Sequence, residues 1–269
     1  MRHSKKLFLY VLLLFTSHTF SQGRVDGFYK GKGKTEVVLG GGAQLEGNYF
    51  AGRDKVGVSR NIFYGNLFVA MGLLDQLDVY LAVPYISIND VMSVQDGSVF
   101  VKMKLLERSI GAGNFSLSFA AGYSAPLAPY QTEGLNAIGQ LTKMWDFRPV
   151  VHYSTDKWFG TFQAAFNPKS DPTPDAMGAA LKFGQAGASF YWDAWYEYQY
   201  SFGGLDYRGT PTPSTFKQLG VDYHKVGVTA YKPIFERLGA YVAFSYALTG
   251  RNIGQGPGFH GGVVLKSGN

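Results

Sequence analysis

Ionisable side chains recur along this chain at two-residue spacing. Lys102 and Lys104, Asp193 and Glu197, and Asp222 and His224 stand two or four residues apart, and residues so spaced share one face of a β-strand. Arg148, Lys182 and Lys266 extend the set, which carries both signs. Lining a water-filled interior, such a set selects solutes by charge; paired across a narrow interior, it closes the passage as salt-bridged filling. Hydrolysis is a rival chemistry, because His224 lies near Asp222 and Ser245 falls on the next strand, as a Ser-His-Asp arrangement requires. Against it, a barrel hydrolase acting on lipid needs its nucleophile towards the membrane, whereas this pattern points inward. His152, His224 and His260 sit on separate segments without the local spacing of metal ligands. Lys32-Gly33-Lys34-Thr35 has the tail of a phosphate loop, but Phe28 stands where that motif needs its first Gly and a strand follows instead of a helix. No catalytic residue, metal or cofactor is expected.

These side chains need strands to place them, and the chain supplies strands. Phe115, Leu117, Phe119, Ala121 and Tyr123 alternate with Ser116, Ser118, Ala120, Gly122 and Ser124, a period of two that gives a strand different solvents on its two faces. Reading alternation with turn signals predicts strands near 34–43, 58–73, 77–87, 97–106, 114–125, 147–154, 158–166, 177–184, 187–202, 216–232, 238–249 and 258–266. The connections alternate as well. Long ones, rich in Pro and Gly, cover 44–57, 88–96, 126–146, 167–176, 203–215 and 250–257, and tight turns lie between them. Short turns at one rim, long loops at the other and an even strand count are the pattern of an outer-membrane barrel with both ends at the periplasmic rim. The expected fold is therefore all-β: a transmembrane antiparallel β-barrel of about 12 strands.

Targeting and composition agree with that reading. Arg2, Lys5 and Lys6 precede an apolar run from Leu7 to Thr16 and a small-residue exit at Thr19 and Ser21, as in a secretory signal peptide. That run is too short to span a bilayer as a helix, and no other window of 18 uninterrupted apolar residues exists. Removing the leader takes three of the 25 basic residues, leaving 22 against 19 acidic ones. A net charge of +3 is too weak to argue for nucleic acid. The absence of Cys excludes disulfides and thiolate chemistry, while 18 Tyr, 21 Phe and 35 Gly suit aromatic girdles and a curved wall. The expected division is a signal peptide over 1–21, a periplasmic lead-in over 22–33, the barrel over 34–266 and a tail over 267–269.

Faces follow from the same alternation. Val79, Leu81 and Val83 should meet lipid and Asp78, Tyr80 and Ala82 the interior; Val242, Phe244, Tyr246 and Leu248 likewise oppose Tyr241, Ala243, Ser245 and Ala247. The segment 187–202 places Trp192, Tyr196 and Tyr200 outward and Asp193, Trp195 and Glu197 inward. The segment 216–232 changes phase, which a β-bulge near His224 and Lys225 would restore. In the long connection 126–146, Leu127, Tyr130, Leu135, Ile138, Leu141 and Met144 offer an apolar surface for a hydrophobic solute or a cover for the pore.

The hairpin Gly72-Leu73-Leu74-Asp75-Gln76-Leu77-Asp78-Val79-Tyr80-Leu81-Ala82-Val83-Pro84-Tyr85, followed by Asp96-Gly97 and Lys102-Met103-Lys104, resembles outer-membrane proteins of the phenol-degradation meta-pathway family. The resemblance covers residues 60–106 in detail and implies an outer-membrane transporter for aromatic or other small hydrophobic solutes. The expected function is thus a channel or passive transporter in the bacterial outer membrane, with Lys102, Lys104, Arg148, Lys182, Asp193, Glu197, Asp222 and His224 as lumen residues. Its partners would be outer-membrane lipid, a small-molecule solute and other outer-membrane proteins. Two alternatives stand beside it: a closed barrel serving as a subunit of an outer-membrane complex through the aromatic face around Trp192 and Tyr196, and a lipid-active hydrolase.

Overall fold

The computed structural model describes residues 26–267. The expected leader over 1–21, the first part of the lead-in and the last two residues of the tail lie outside them. Strands run in chain order as β1 (Thr35–Glu46), β2 (Asn48–Ala51), β3 (Asp54–Val56), β4 (Arg60–Leu74), β5 (Leu77–Ile88), β6 (Val91–Val94), β7 (Asp96–Ile110) and β8 (Gly113–Pro126). They continue as β9 (Met144–Ser154), β10 (Trp158–Asn167), β11 (Ala176–Ala186), β12 (Tyr191–Ser201), β13 (Asp222–Phe235), β14 (Leu238–Arg251), β15 (Ile253–Gln255) and β16 (Pro257–Lys266). Setting aside the short β2, β3, β6 and β15, twelve long strands pair antiparallel in succession. Because β1 joins both β4 and β16, and β4 joins β5, the sheet returns on itself without an edge. Closure is what lets strands cross lipid, since every backbone donor and acceptor of the wall then finds a partner within it.

The expected strands are present with small shifts at their ends, and the long connections carry structure of their own. Within the predicted loops 44–57 and 250–257, β15, β2 and β3 form a separate three-stranded sheet, and β6 folds back on the end of β5. The largest departure is at 216–221. Phe216–Gln218 is a single 3-10 turn capped by Thr215 Oγ1, and β13 begins only at Asp222. Leu219 is buried beneath the outer loops instead of facing lipid.

The wall has the predicted polarity. Leu39 (60%) and Val242 (65%) are exposed on the outside, whereas Tyr80 and Tyr231 (2% each) and Phe159 (1%) are enclosed within the lumen. An outward apolar set is what a hydrocarbon environment demands, and the outward rings of Trp158, Phe183, Phe147 and Trp145 stack in pairs along it. Among the described residues no helix is long and apolar enough to cross a membrane.

The described part of the lead-in lies inside the barrel. Residues 26–33 fold into the barrel and bond to its inner wall. Gly33 N donates to Gly72 O at 2.8 Å and Gly72 N to Lys34 O at 2.9 Å. A Cβ on Gly72 would overlap the carbonyl of Gly31, so only Gly lets the segment lie this close. Gly72→Ala is expected to push the lead-in off the wall at a cost of about 1–3 kcal/mol. A lower temperature for the heat-modified shift in gel mobility, with faster trypsin cleavage at Lys30 and Lys32, would report it.

Candidate functional site

The lumen has a closed half and an open half. At the short-turn end, Phe28 packs edge-on against His152 and Phe159, with ring centroids 4.5 and 5.0 Å away. Around it Val38, Phe68, Tyr80, Phe100, Tyr191 and Tyr231 form a buried apolar collar. Charges of the lead-in are matched to charges of the wall. Lys102 Nζ lies 3.6 Å from Asp26 Oδ1 and 3.8 Å from Asp78 Oδ2, and donates to Asp26 O at 3.0 Å. Lys30 Nζ reaches Glu36 at 3.4 Å, while its backbone N–H donates to the Asp78 carboxylate at 3.2 Å. Tyr29 donates to Ser118 Oγ at 2.8 Å.

Above this floor lies a cavity of about 710 Å³. Asp146, Arg148, Lys182, Glu197, Tyr223 and Lys225 line it. Two cations are paired within the wall, Arg148 Nη2 with Asp146 at 2.7 Å and Lys182 Nζ with buried Asp193 at 3.5 Å, while Glu197 accepts from Tyr223 at 2.9 Å and keeps its charge.

The connection 127–143 roofs the cavity. At one side Tyr130 donates to Asp96 at 2.6 Å and Gln95 Nε2 to Ile138 O at 3.0 Å. At the other, Gln140 Nε2 donates to Leu219 O at 2.9 Å, and Phe216 N to Glu133 at 3.0 Å. Those anchors begin β7 and precede β13, which are six strands apart in a ring of twelve. The connection therefore crosses the mouth, held chiefly by polar contacts. Of its apolar side chains Ile138 is buried, while Leu127 and Leu135 remain exposed.

Partial burial acts to raise the Glu133 carboxyl, but hydrogen bonds from Thr215, Phe216 and Thr132, with Lys217 nearby, hold it below the usual carboxylate range. A depressed folded value means that its contribution is complete at neutral pH and lost as pH falls through that value. Hydrogen exchange across 127–143 is expected to rise as pH falls below the ordinary glutamate range. The Glu133→Gln variant should show the faster exchange already at pH 7.

The sequence-selected residues separate into four places. Arg148, Lys182 and Glu197 line the open cavity, with Asp193 beneath Lys182. Lys102 is fully buried under the lead-in, and Lys104, lower still, pairs with exposed Glu107 at 2.8 Å. Asp222 lies outside the cavity, bonded to Arg53 and to Ser201 N among the outer loops. His224 was expected in the lumen and is not there: its Nδ1 meets Tyr196 OH at 2.6 Å, and Tyr198 packs 4.9 Å from it on the outer wall. Alternation runs unbroken along β13, where Lys225 pairs with inward Glu197 and His224 with Tyr198, so His224 faces outward; the extra residue of the irregularity near the expected bulge is Leu248 of β14.

The Ser245, Asp222 and His224 arrangement is thereby dispersed. Ser245 instead meets His260 Nε2 at 2.9 Å. No group of three or more metal-ligating side chains converges among the described residues. The lead-in and Lys225 were missed in sequence; Phe28 and Tyr29, ring side chains in an otherwise polar stretch, were the available signal for the former.

No protein-family model matches the chain, and no curated protein does. In three dimensions it is similar to the crystal structure of the COG4313 outer membrane channel from Pseudomonas putida F1, with a TM-score of 0.71 at 16% identity, over 90% of this chain and 100% of that one. It is also similar to the NanC porin, with a TM-score of 0.51 at 8% identity, over 86% and 98% of the two chains. The phenol-degradation family suggested by the hairpin at 72–85 is narrower than this likeness reaches. At these identities what is shared is the fold, and this chain is a barrel of the bacterial outer-membrane type.

Proposed function

We propose that the chain is an outer-membrane channel or passive transporter for small solutes. The observation carrying this reading is the charged cavity of about 710 Å³ held between a roofing loop and a folded lead-in inside a closed wall. A solute entering past the loop meets paired charges of both signs. Trp195, Tyr64 and Tyr241 also line the space and provide ring surfaces, which supports the finer reading that ring-shaped solutes are carried. Planar-bilayer recordings on refolded protein test the proposal. Small unitary steps with a definite ion preference are expected, and a folded barrel that never conducts would sink it.

A second reading, a subunit of an outer-membrane assembly, draws on the outer face of β12. There a polar pair, Tyr196 and His224, is set among membrane-facing rings. Co-purification with a defined partner, lost in Trp192→Ala plus Tyr196→Ala, would favour it.

A further inference from the structure

We propose that the outer cavity is a binding site for neutral, polyhydroxylated ring solutes, a mono- or disaccharide, and that Trp195 is the stacking platform. This rests on the channel reading and names its solute class. Two features of the lining carry it. The first is ring orientation. Trp195 lies against the wall over Gly227 of β13, its direct cross-strand partner, and Tyr241 lies over Gly40 of β1. A Cβ at Gly227 would collide with the Trp195 ring, and one at Gly40 or Gly262 with the Tyr241 hydroxyl or ring edge, so the absence of side chains lets each aromatic fold against the wall. A ring flat against the wall turns a face towards the lumen, where the flat C–H face of a pyranose or the face of an arene can stack.

The second feature decides between those two solutes. Asn66, Gln95, Gln140, Gln163, Asn167 and Gln199 all border the cavity, an amide-rich lining with donors and acceptors on every side. Asn167 is 7% exposed and its Nδ2 has no hydrogen-bond partner among the described residues, and neither does the buried Tyr64 hydroxyl. An arene displacing water here would offer the amides of this lining neither donor nor acceptor. A saturated ring bearing a hydroxyl on most carbons would pair with them. Neutrality follows from the balance of charges, since Arg148 and Lys182 are paired with Asp146 and Asp193, and Glu197 stands opposite Lys225.

The test is calorimetric titration of the folded protein with maltose and, separately, with phenol, in a detergent without a sugar headgroup. Saturable maltose binding is expected, weakened roughly five- to tenfold in Trp195→Ala and also weakened in Asn167→Leu. Trp192→Ala, which alters the outer wall, should bind as wild type does. Heat-modified mobility identifies any variant that fails to fold, and Asn167→Leu stands in if Trp195→Ala does. No maltose binding, equal binding by all folded variants, or saturable phenol binding alone would overturn the assignment. Bilayer recordings separate the two readings. A conducting barrel that ignores maltose keeps the channel and loses the sugar site, whereas binding without conductance keeps the site and loses the channel.

Discussion

Lys102→Met should release the lead-in from the barrel and raise the unitary conductance. Lys102 is 0% exposed and is the cation shared by Asp26 and Asp78, both themselves buried. Removing the shared cation leaves Asp78 without an ion pair and Asp26 with Lys30 alone, 4.0 Å away, and breaking a buried pair in this way typically costs about 3–5 kcal/mol. The wall cannot relieve that penalty, because Asp78 is fixed in β5. The lead-in can, by carrying Asp26 out to water at the expense of the Phe28, Tyr29 and Lys30 contacts. Trypsin cleavage at Lys30 and Lys32 should accelerate together with the gain in conductance. Lys104→Met is the control. Its pairing with exposed Glu107 is of the surface kind, worth under about 1 kcal/mol, and its ammonium touches the lead-in only through the Tyr29 ring, 4.9 Å away, so both readouts should move far less than in Lys102→Met. A Lys102→Met barrel that is folded, protease-resistant and unchanged in conductance would remove the lead-in as the floor of the passage.

The same cluster shows why part of this molecule was legible in its sequence and part was not. Strand positions and faces could be read because each strand lies between two solvents, and lipid on one side forces a period of two into residues such as Val79 to Val83 or Val242 to Leu248. The expected slip near His224 and Lys225 coincides with an irregularity of the β13–β14 ladder, but the extra residue is Leu248 of β14 and the alternation of β13 is unbroken. Asp222, the first residue of β13, is held by Arg53 among the outer loops and so lies outside the lumen. Residues 26–33 have no period, and their partners are remote: Lys102 lies 76 positions from the Asp26 carbonyl it binds. A lysine alternating with apolar neighbours looks the same whether it faces water or a buried carboxylate. Loop 127–143 was likewise read for its apolar side chains, whereas Gln140, Glu133 and Tyr130 fasten it.

That distinction moves ion selectivity from Lys102 and Lys104 to the open cavity, and Glu197→Gln should shift the preference towards anions. Glu197 lies opposite Lys225 in the β12–β13 ladder, and both line the cavity. The amide keeps the shape and still accepts from Tyr223, so the change is one of charge. A unit charge about 4 Å from a passing ion is worth about 1 kcal/mol in a water-like medium, which corresponds to about a fivefold change in the cation-to-anion permeability ratio. The mirror variant is Lys225→Met. Lys225 Nζ sits 4.4 Å from the Tyr223 ring centroid, and removing its charge should shift the ratio by a similar factor towards cations. Screening supplies a further check. The Debye length falls from about 10 Å at 0.1 M salt to about 3 Å at 1 M, so both shifts should shrink as salt is raised if ions pass through water-filled space beside these groups. Reversal potentials across a salt gradient measure the ratio directly. Shifts of the same sign in the two variants, or none in either at low salt, would mean that ions do not pass between Glu197 and Lys225.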